Sequence, residues 1–260
     1  MKKFLLKLIY LLPILLFVIG VNYYQDPANL FKNGTYEREM ADHILIGKNV
    51  TQVTNFKERN LTKLIAEEMS VLPQTLVLGS SKTLMVDQQM MGDSLLFNGS
   101  VSGGCMEDII AIFNLFDNEK CEIKKLVIGV DPWLLNGSYE FDRWQDIGED
   151  YYAMLDKIGV KYGEKQYKKW TDNDLWELIS LSYFQQSFVD FSRGVSLKIK
   201  PTLNKDNVRA TKRFDGSYSY ESTYRNRTEA DVLRNAQSEI AKVVMKGFGD
   251  FDKLSKKKME

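Results

Sequence analysis

Histidine is nearly absent from this chain: His43 is the only one in 260 residues, and there are two cysteines, Cys105 and Cys121. The cysteines do not form a CxxC and have no histidine nearby, so the cysteine and histidine pattern of a metal site is missing. No cofactor is expected. Net charge is lacking too, since 35 Lys and Arg balance 35 Asp and Glu. A balanced chain has no electrostatic footprint for nucleic acid. Repeats and low-complexity tracts are absent, and a hydrophobic content of 44% suits a folded protein rather than a disordered one. Outside the membrane Cys105 and Cys121 would be free to pair as a disulfide. Two buried thiols is the plainer reading, because such cysteines usually reflect packing.

What is present begins with a long apolar run. Lys2, Lys3 and Lys7 lie at or before the start of residues 4–21, roughly 18 residues or about 27 Å as a helix. That nearly spans a hydrocarbon core of ~30 Å. The positive flank predicts a cytoplasmic N-terminus and an extracytoplasmic remainder. No A-x-A-like cleavage site follows, and Tyr23 and Tyr24 suit an interfacial belt. Residues 1–24 therefore read as an uncleaved, single-pass signal anchor in the cell membrane rather than a cleaved signal peptide. Residues 25–54 read as a membrane-proximal connector, with turn signals at Asp26-Pro27 and Asn33-Gly34.

The remaining 55–260 suffice for one sizeable α/β domain. Residues 55–69 place Leu61, Leu64 and Ile65 on one face, and Pro73 stops that helix. Residues 76–78 and 126–130 read as buried strands, and Phe97 flanks a third short one. The spacing of Ile109, Ile110, Phe113 and Phe116 predicts a helix over 106–116, with Glu107 and Asp108 suiting its N-terminal dipole. Further helices are expected over 149–158, 175–191 and 230–245. Asp215-Gly216 followed by alternating aromatics signals a hairpin. Residues 133–224 read as an insertion over the C-terminal rim of the sheet, where such segments shape specificity. A layered α/β fold wants another parallel strand after the last helix, so the expectation is a chain lacking its last strand.

The most informative stretch runs from Thr75 to Leu135: TLVLGSSKT, then LFNGSVSGGCMED, then KKLVIGVDPWLL. Two apolar runs end abruptly in small or acidic residues, as strands do when they deliver their C-terminal ends to a site. A glycine-rich segment between them opens a helix. Hydroxyls, backbone N–H groups and a carboxylate then share the rim on which α/β sheets bind ligands.

These residues resemble the SGNH/GDSL hydrolase superfamily. Gly79-Ser80-Ser81 stands at its nucleophile block, Asn98-Gly99-Ser100-Val101-Ser102-Gly103 at its second block, and Gly129-Val130-Asp131-Pro132 approximates its third, with Asp131 in place of Asn. The Gly-Ser-Ser variant is similar to the membrane-anchored members that esterify envelope polymers, of the alginate-acetylation and lipoteichoic-acid D-alanylation type. The resemblance implies a three-layer α/β/α fold with a parallel sheet, and an acyltransferase or esterase of a cell-envelope polysaccharide. Ser81 would be the nucleophile, with Ser80 second in line; a helix N-cap is the structural alternative for either. The N–H groups of Ser81 and Gly103 would form an oxyanion hole, braced by Asn98 through an Asx-type contact.

Other residues of the rim have two readings each. Asp131 would hold a substrate hydroxyl or pair with Arg143; an ionised carboxylate cannot donate to an oxyanion. Trp133 would stack on a sugar or pack in the core. Lys82 would orient an anionic substrate or be solvated. The superfamily's closing Asp-x-x-His is missing, and His43 precedes the nucleophile. A second reading follows: a non-catalytic polymer-binding or complex-assembly protein. Either reading fits the membrane and a membrane-bound acyl-transfer partner, since acyl donors inside the cell need a transporter across the bilayer.

Overall fold

The parallel sheet is small and built around one strand. The computed structural model describes residues 2–27, 31, 35–53, 56–117, 123–135, 142–165, 173–192 and 199–245, with side chains of 2–11, 135, 173–175, 190 and 239–245 outside that description. Cys121 and the Asn33-Gly34 turn signal lie outside the described residues. β2, Thr75–Leu78, is buried along its whole length, as an unbroken apolar run should be when both faces are covered. It lies between β3, Leu96–Asn98, and β4, Lys125–Ile128, and runs parallel to both. Leu76 stands beside Phe97 on one side and Leu126 on the other. The protein is thus α/β, and its three expected strands are the three of this sheet.

α5, Met106–Phe116, links β3 to β4 and packs on β2. Ile109, Ile112 and Phe116 recur at helical spacing and are buried. Asp108 fixes its start by accepting from the backbone N–H of Cys105 at 3.0 Å, the reciprocal half of a capping box. The same carboxylate takes two charge-assisted bonds of 2.6 Å from the guanidinium of Arg59. Arg59 belongs to α3, Glu58–Glu68, so one buried pair ties α3 to the head of α5. Burial pulls the Arg59 pKa down, but Asp108 outweighs it and the net direction is up. The Cys105 thiol is buried, and burial followed by Asp108 pushes its pKa well up. It is an inert packing thiol.

Within 25–54, the range read as a membrane-proximal connector, the described residues include two elements that join the core. α2, Thr35–Leu45, and β1, Asn49–Thr51, place Tyr36, Met40, Ile44 and Val50 in the same core as Leu61, Ile65 and Leu76. β1 also organises a second, antiparallel sheet with β5, Lys200–Thr202, β6, Thr211–Lys212, and β7, Tyr218–Ser219, in the order β5-β1-β6-β7. The expected insertion therefore divides. Its hairpin, β6 and β7, lies against the turn after β2, where the Tyr218 N–H donates to the Leu84 carbonyl at 2.7 Å. α6, Gly148–Lys157, packs on α5. α7, Leu181–Ser192, packs on α1, Lys2–Gln25, and not over the rim.

Two surfaces bear on the expectations. Among the described residues no helix is long and apolar enough to cross a membrane; α1 has described side chains only from Leu12 onward, so the expected span over 4–21 is unsupported there. β4 pairs only with β2 among the described residues, and Leu126, Ile128 and Val130 are exposed. After β7 come α8, Ser222–Arg225, and α9, Glu229–Met245.

Candidate functional site

The loops at the C-terminal ends of β2 and β4 touch because glycine lets them. A Cβ on Gly79 would meet Thr83 Oγ1 at 2.5 Å, one on Gly129 would meet Thr83 Cγ2 at 2.4 Å, and one on Gly104 would meet the Gly79 carbonyl oxygen at 2.6 Å. Any side chain at these places would force the loops apart. Thr83 fills the space they leave, and its hydroxyl lies 2.8 Å from that of Ser100.

That close approach sets a serine against a carboxylate. Ser80, only 1% exposed, donates its hydroxyl to Oδ2 of Asp131. Oδ1 of Asp131 receives Lys82 Nζ at 3.0 Å, and the same ammonium stands 4.8 Å from the Trp133 ring centroid. The Trp133 Nε1–H donates to the Gly104 carbonyl at 3.3 Å. Ser80, Lys82, Asp131 and Trp133 thus form one connected group. The cation on Asp131 is Lys82 and not Arg143, which lines a neighbouring cleft. Trp133 packs partly against the core while its ring faces Lys82.

Ser81 stands apart from that group. It is exposed, and its carbonyl accepts from the Tyr220 hydroxyl at 3.4 Å. The expected strand-to-helix turn is a plain turn over 81–85, and the next helix, α4, Gln88–Met91, takes Asp87 as its N-cap through a 2.7 Å bond from the Met90 N–H. Neither Ser80 nor Ser81 caps it.

Asn98 does more than brace the glycine turn. Its buried amide donates to the carbonyls of Thr83 at 2.7 Å and Val86 at 2.8 Å, while its Oδ1 accepts from the Ser100 N–H at 2.9 Å. One side chain locks the loop after β2 to the loop after β3. Gly103 holds φ at +61°, a left-handed conformation for which glycine is suited. Before it, Ser102 gives its backbone N–H and its hydroxyl, the latter at 2.8 Å, to the carboxylate of Glu58. In sequence Glu58 looks like ordinary first-turn electrostatics, and no local pattern pairs it with Ser102.

Glu58, Ser102, Lys57, Arg143, Asp146 and Tyr218 line a cleft of about 450 Å³. A second, of about 590 Å³, shares Tyr218 and adds Tyr220, Tyr224 and Arg227. Burial pushes the Asp146 pKa up against the pull of Lys57 and Arg59, and burial likewise raises that of Tyr218. His43 is elsewhere. It lies on α2, whose Ile44 and Leu45 line a cavity with Leu72, Pro73 and Leu96 at the N-terminal ends of β2 and β3. That is the end of the sheet opposite Ser80 and Asp131. Among the described residues no group of His, Cys, Asp and Glu is placed to hold a metal ion.

Set against known proteins, the chain matches no family model, no curated protein and no solved structure.

Proposed function

We propose that this protein is a membrane-anchored, extracytoplasmic SGNH-like acyltransferase or esterase acting on a cell-envelope glycan. The observation that carries the reading is the gathering of Ser80, Lys82 and Asp131 at the C-terminal ends of two neighbouring parallel strands, with Ser81 exposed next to Ser80 in the chain. Ser81 is the exposed hydroxyl of that rim. Its attack on an ester carbonyl forms an acyl–Oγ bond, expels the donor alcohol with the serine proton, and leaves the acyl group for a glycan hydroxyl or water. N–H groups of Ser81 and Gly103 facing the developing oxyanion would each contribute roughly 10²–10³ in rate. Ser80 and Asp131 hold the loop in place, Lys82 and Trp133 border the acceptor, and Asn98 keeps both loops rigid. The superfamily's three-layer arrangement and its anchor, here α1 with Lys2, Lys3 and Lys7 on the cytoplasmic side, belong to the same proposal. A membrane-bound partner would supply acyl groups across the bilayer.

A second reading is favoured by one arrangement. Asp131 is engaged by both Ser80 and Lys82, and the chain's single histidine lies at the other end of the sheet. A rim without a base binds polymer without turning it over, as a polymer-binding or complex-assembly protein does. The full chain in lipid vesicles, incubated with an acetylated glycan oligomer, separates the two. Acetyl release or transfer that disappears in Ser81→Ala supports the enzyme. Oligomer binding that Ser81→Ala leaves unaltered, with every ester intact, supports the second reading and contradicts the first.

A further inference from the structure

The helix from the insertion meets α1 through a specific set of contacts. Asn22, fully buried near the outer end of α1, donates its side-chain amide to the carbonyls of Glu177 at 3.2 Å, Leu178 at 2.9 Å and Ser180 at 3.3 Å. The Tyr183 hydroxyl donates to Asp26 at 2.7 Å, and the same carboxylate accepts from the Phe31 N–H at 3.0 Å. Phe184 then meets Phe17 edge to face, with 6.1 Å between ring centroids. α7 therefore starts beside the outer end of α1 and runs back along it. Ser187 is sealed completely.

The outward side of this pair is rich in large apolar residues, with Gln185 and Gln186 of α7 exposed among them. Trp176 is 78% exposed, Leu181 68% and Phe191 56%, and Ile179 and Phe188 are exposed with them. On α1 Leu12, Ile14, Leu15, Leu16 and Phe17 are exposed, on several sides of the helix. Isolated exposed apolar residues need no explanation, but so many large ones on two packed helices mark a partner. The aromatics say which. Tyr23 and Tyr24 are exposed next to Asn22, and Trp176 is exposed in the turn that Asn22 pins. Tryptophan and tyrosine collected at one level, with aliphatic and phenylalanine side chains on one side of it, is the composition of a membrane interface.

We propose that the Trp176 turn and α7 are a second membrane contact, the turn in the interfacial layer of the outer leaflet and α7 entering that leaflet along α1. The inference rests on the reading of α1 as the anchor. Two elements then hold the protein in the bilayer, with Asp26 accepting from both the Phe31 N–H and the Tyr183 hydroxyl.

The test uses the full chain in phosphatidylcholine–phosphatidylglycerol vesicles whose acyl chains carry spin labels. Trp176→Phe isolates the Trp176 emission by difference. That emission should be blue-shifted and strongly quenched, most by labels near the headgroups. Leu181→Asp combined with Phe188→Asp should remove the quenching while the chain still floats with the vesicles. Unquenched Trp176 in a chain that floats overturns the inference and leaves the anchor standing. Unquenched Trp176 with dimers cross-linked through this surface assigns it to a second copy and overturns it too. A chain that does not float at all removes the anchor reading, and the inference with it.

Discussion

The hydroxyl of Ser80 donates to the carboxylate of Asp131, joining the C-terminal ends of β2 and β4. The bond assigns different work to two adjacent serines. Ser80 is buried and holds the rim together; Ser81 is exposed and free to meet substrate. Ser80→Ala leaves a buried carboxylate with Lys82 as its remaining partner, and loss of such a bond to a charged group costs about 1.5–3 kcal/mol. Ser81→Ala should change stability by less than about 0.5 kcal/mol, as exposed substitutions do. Urea unfolding of the two variants checks the contrast.

The glycines under Thr83 are a steric requirement. Gly129→Ala should destabilise by about 1–3 kcal/mol, the usual cost of overpacking, because its Cβ would meet Thr83 Cγ2 at 2.4 Å. Thr83→Ser removes that methyl and keeps the hydroxyl bonded to Ser100. Thermal unfolding of the double variant should recover most of the loss. No recovery would mean that the backbone at 129, rather than the side chain of Thr83, sets the limit.

Arg59 and Asp108 form a buried bidentate pair. Arg59→Met strands a carboxylate in the core and should cost about 3–5 kcal/mol, while replacing both members with apolar residues should recover much of it. The comparison of single and double variants by denaturant unfolding is the check. Additive losses would contradict the pairing.

Lys212 is wholly buried, its Nζ donates to the Gly216 carbonyl at 2.5 Å, and burial depresses its pKa against the pull of Glu58 and Asp215. Between the depressed folded value and the ordinary lysine range, the unfolded chain binds the extra proton. Stability contributed by this group therefore rises with pH across that window and is at its lowest below it. Lys212→Met should raise the unfolding temperature at neutral pH and flatten that rise on the alkaline side. A melting profile with unchanged pH dependence would contradict the assignment.

The parallel sheet was legible because β2 and β4 are uninterrupted apolar runs and α5 carries a clear stripe with acids at its head. The second sheet was not. β1 has three residues, and β6 and β7 have two each, too few for alternation to register. α2 hides one narrow row, Tyr36, Met40 and Ile44, on an otherwise charged helix. At the rim, Ser80, Asp131 and Asn98 stood in recognisable blocks, but Glu58 did not. Its bond to Ser102 spans 44 residues, and no local pattern encodes it. The route of α7 to α1 depends on Asn22, which reads in sequence as the end of an anchor, and on Asp26, which reads as a turn signal.

The central claim is that Ser81 carries the acyl group. The full chain in vesicles, treated with a serine-reactive phosphonate and mapped by peptide mass spectrometry, tests it most directly. The adduct should fall on Ser81, form slowly, and form faster as pH rises, because no imidazole reaches the hydroxyl to take its proton. His43→Ala should leave the rate unchanged. An adduct on Ser80 or any other serine, no adduct at all, or labelling undiminished in Ser81→Ala would contradict the account.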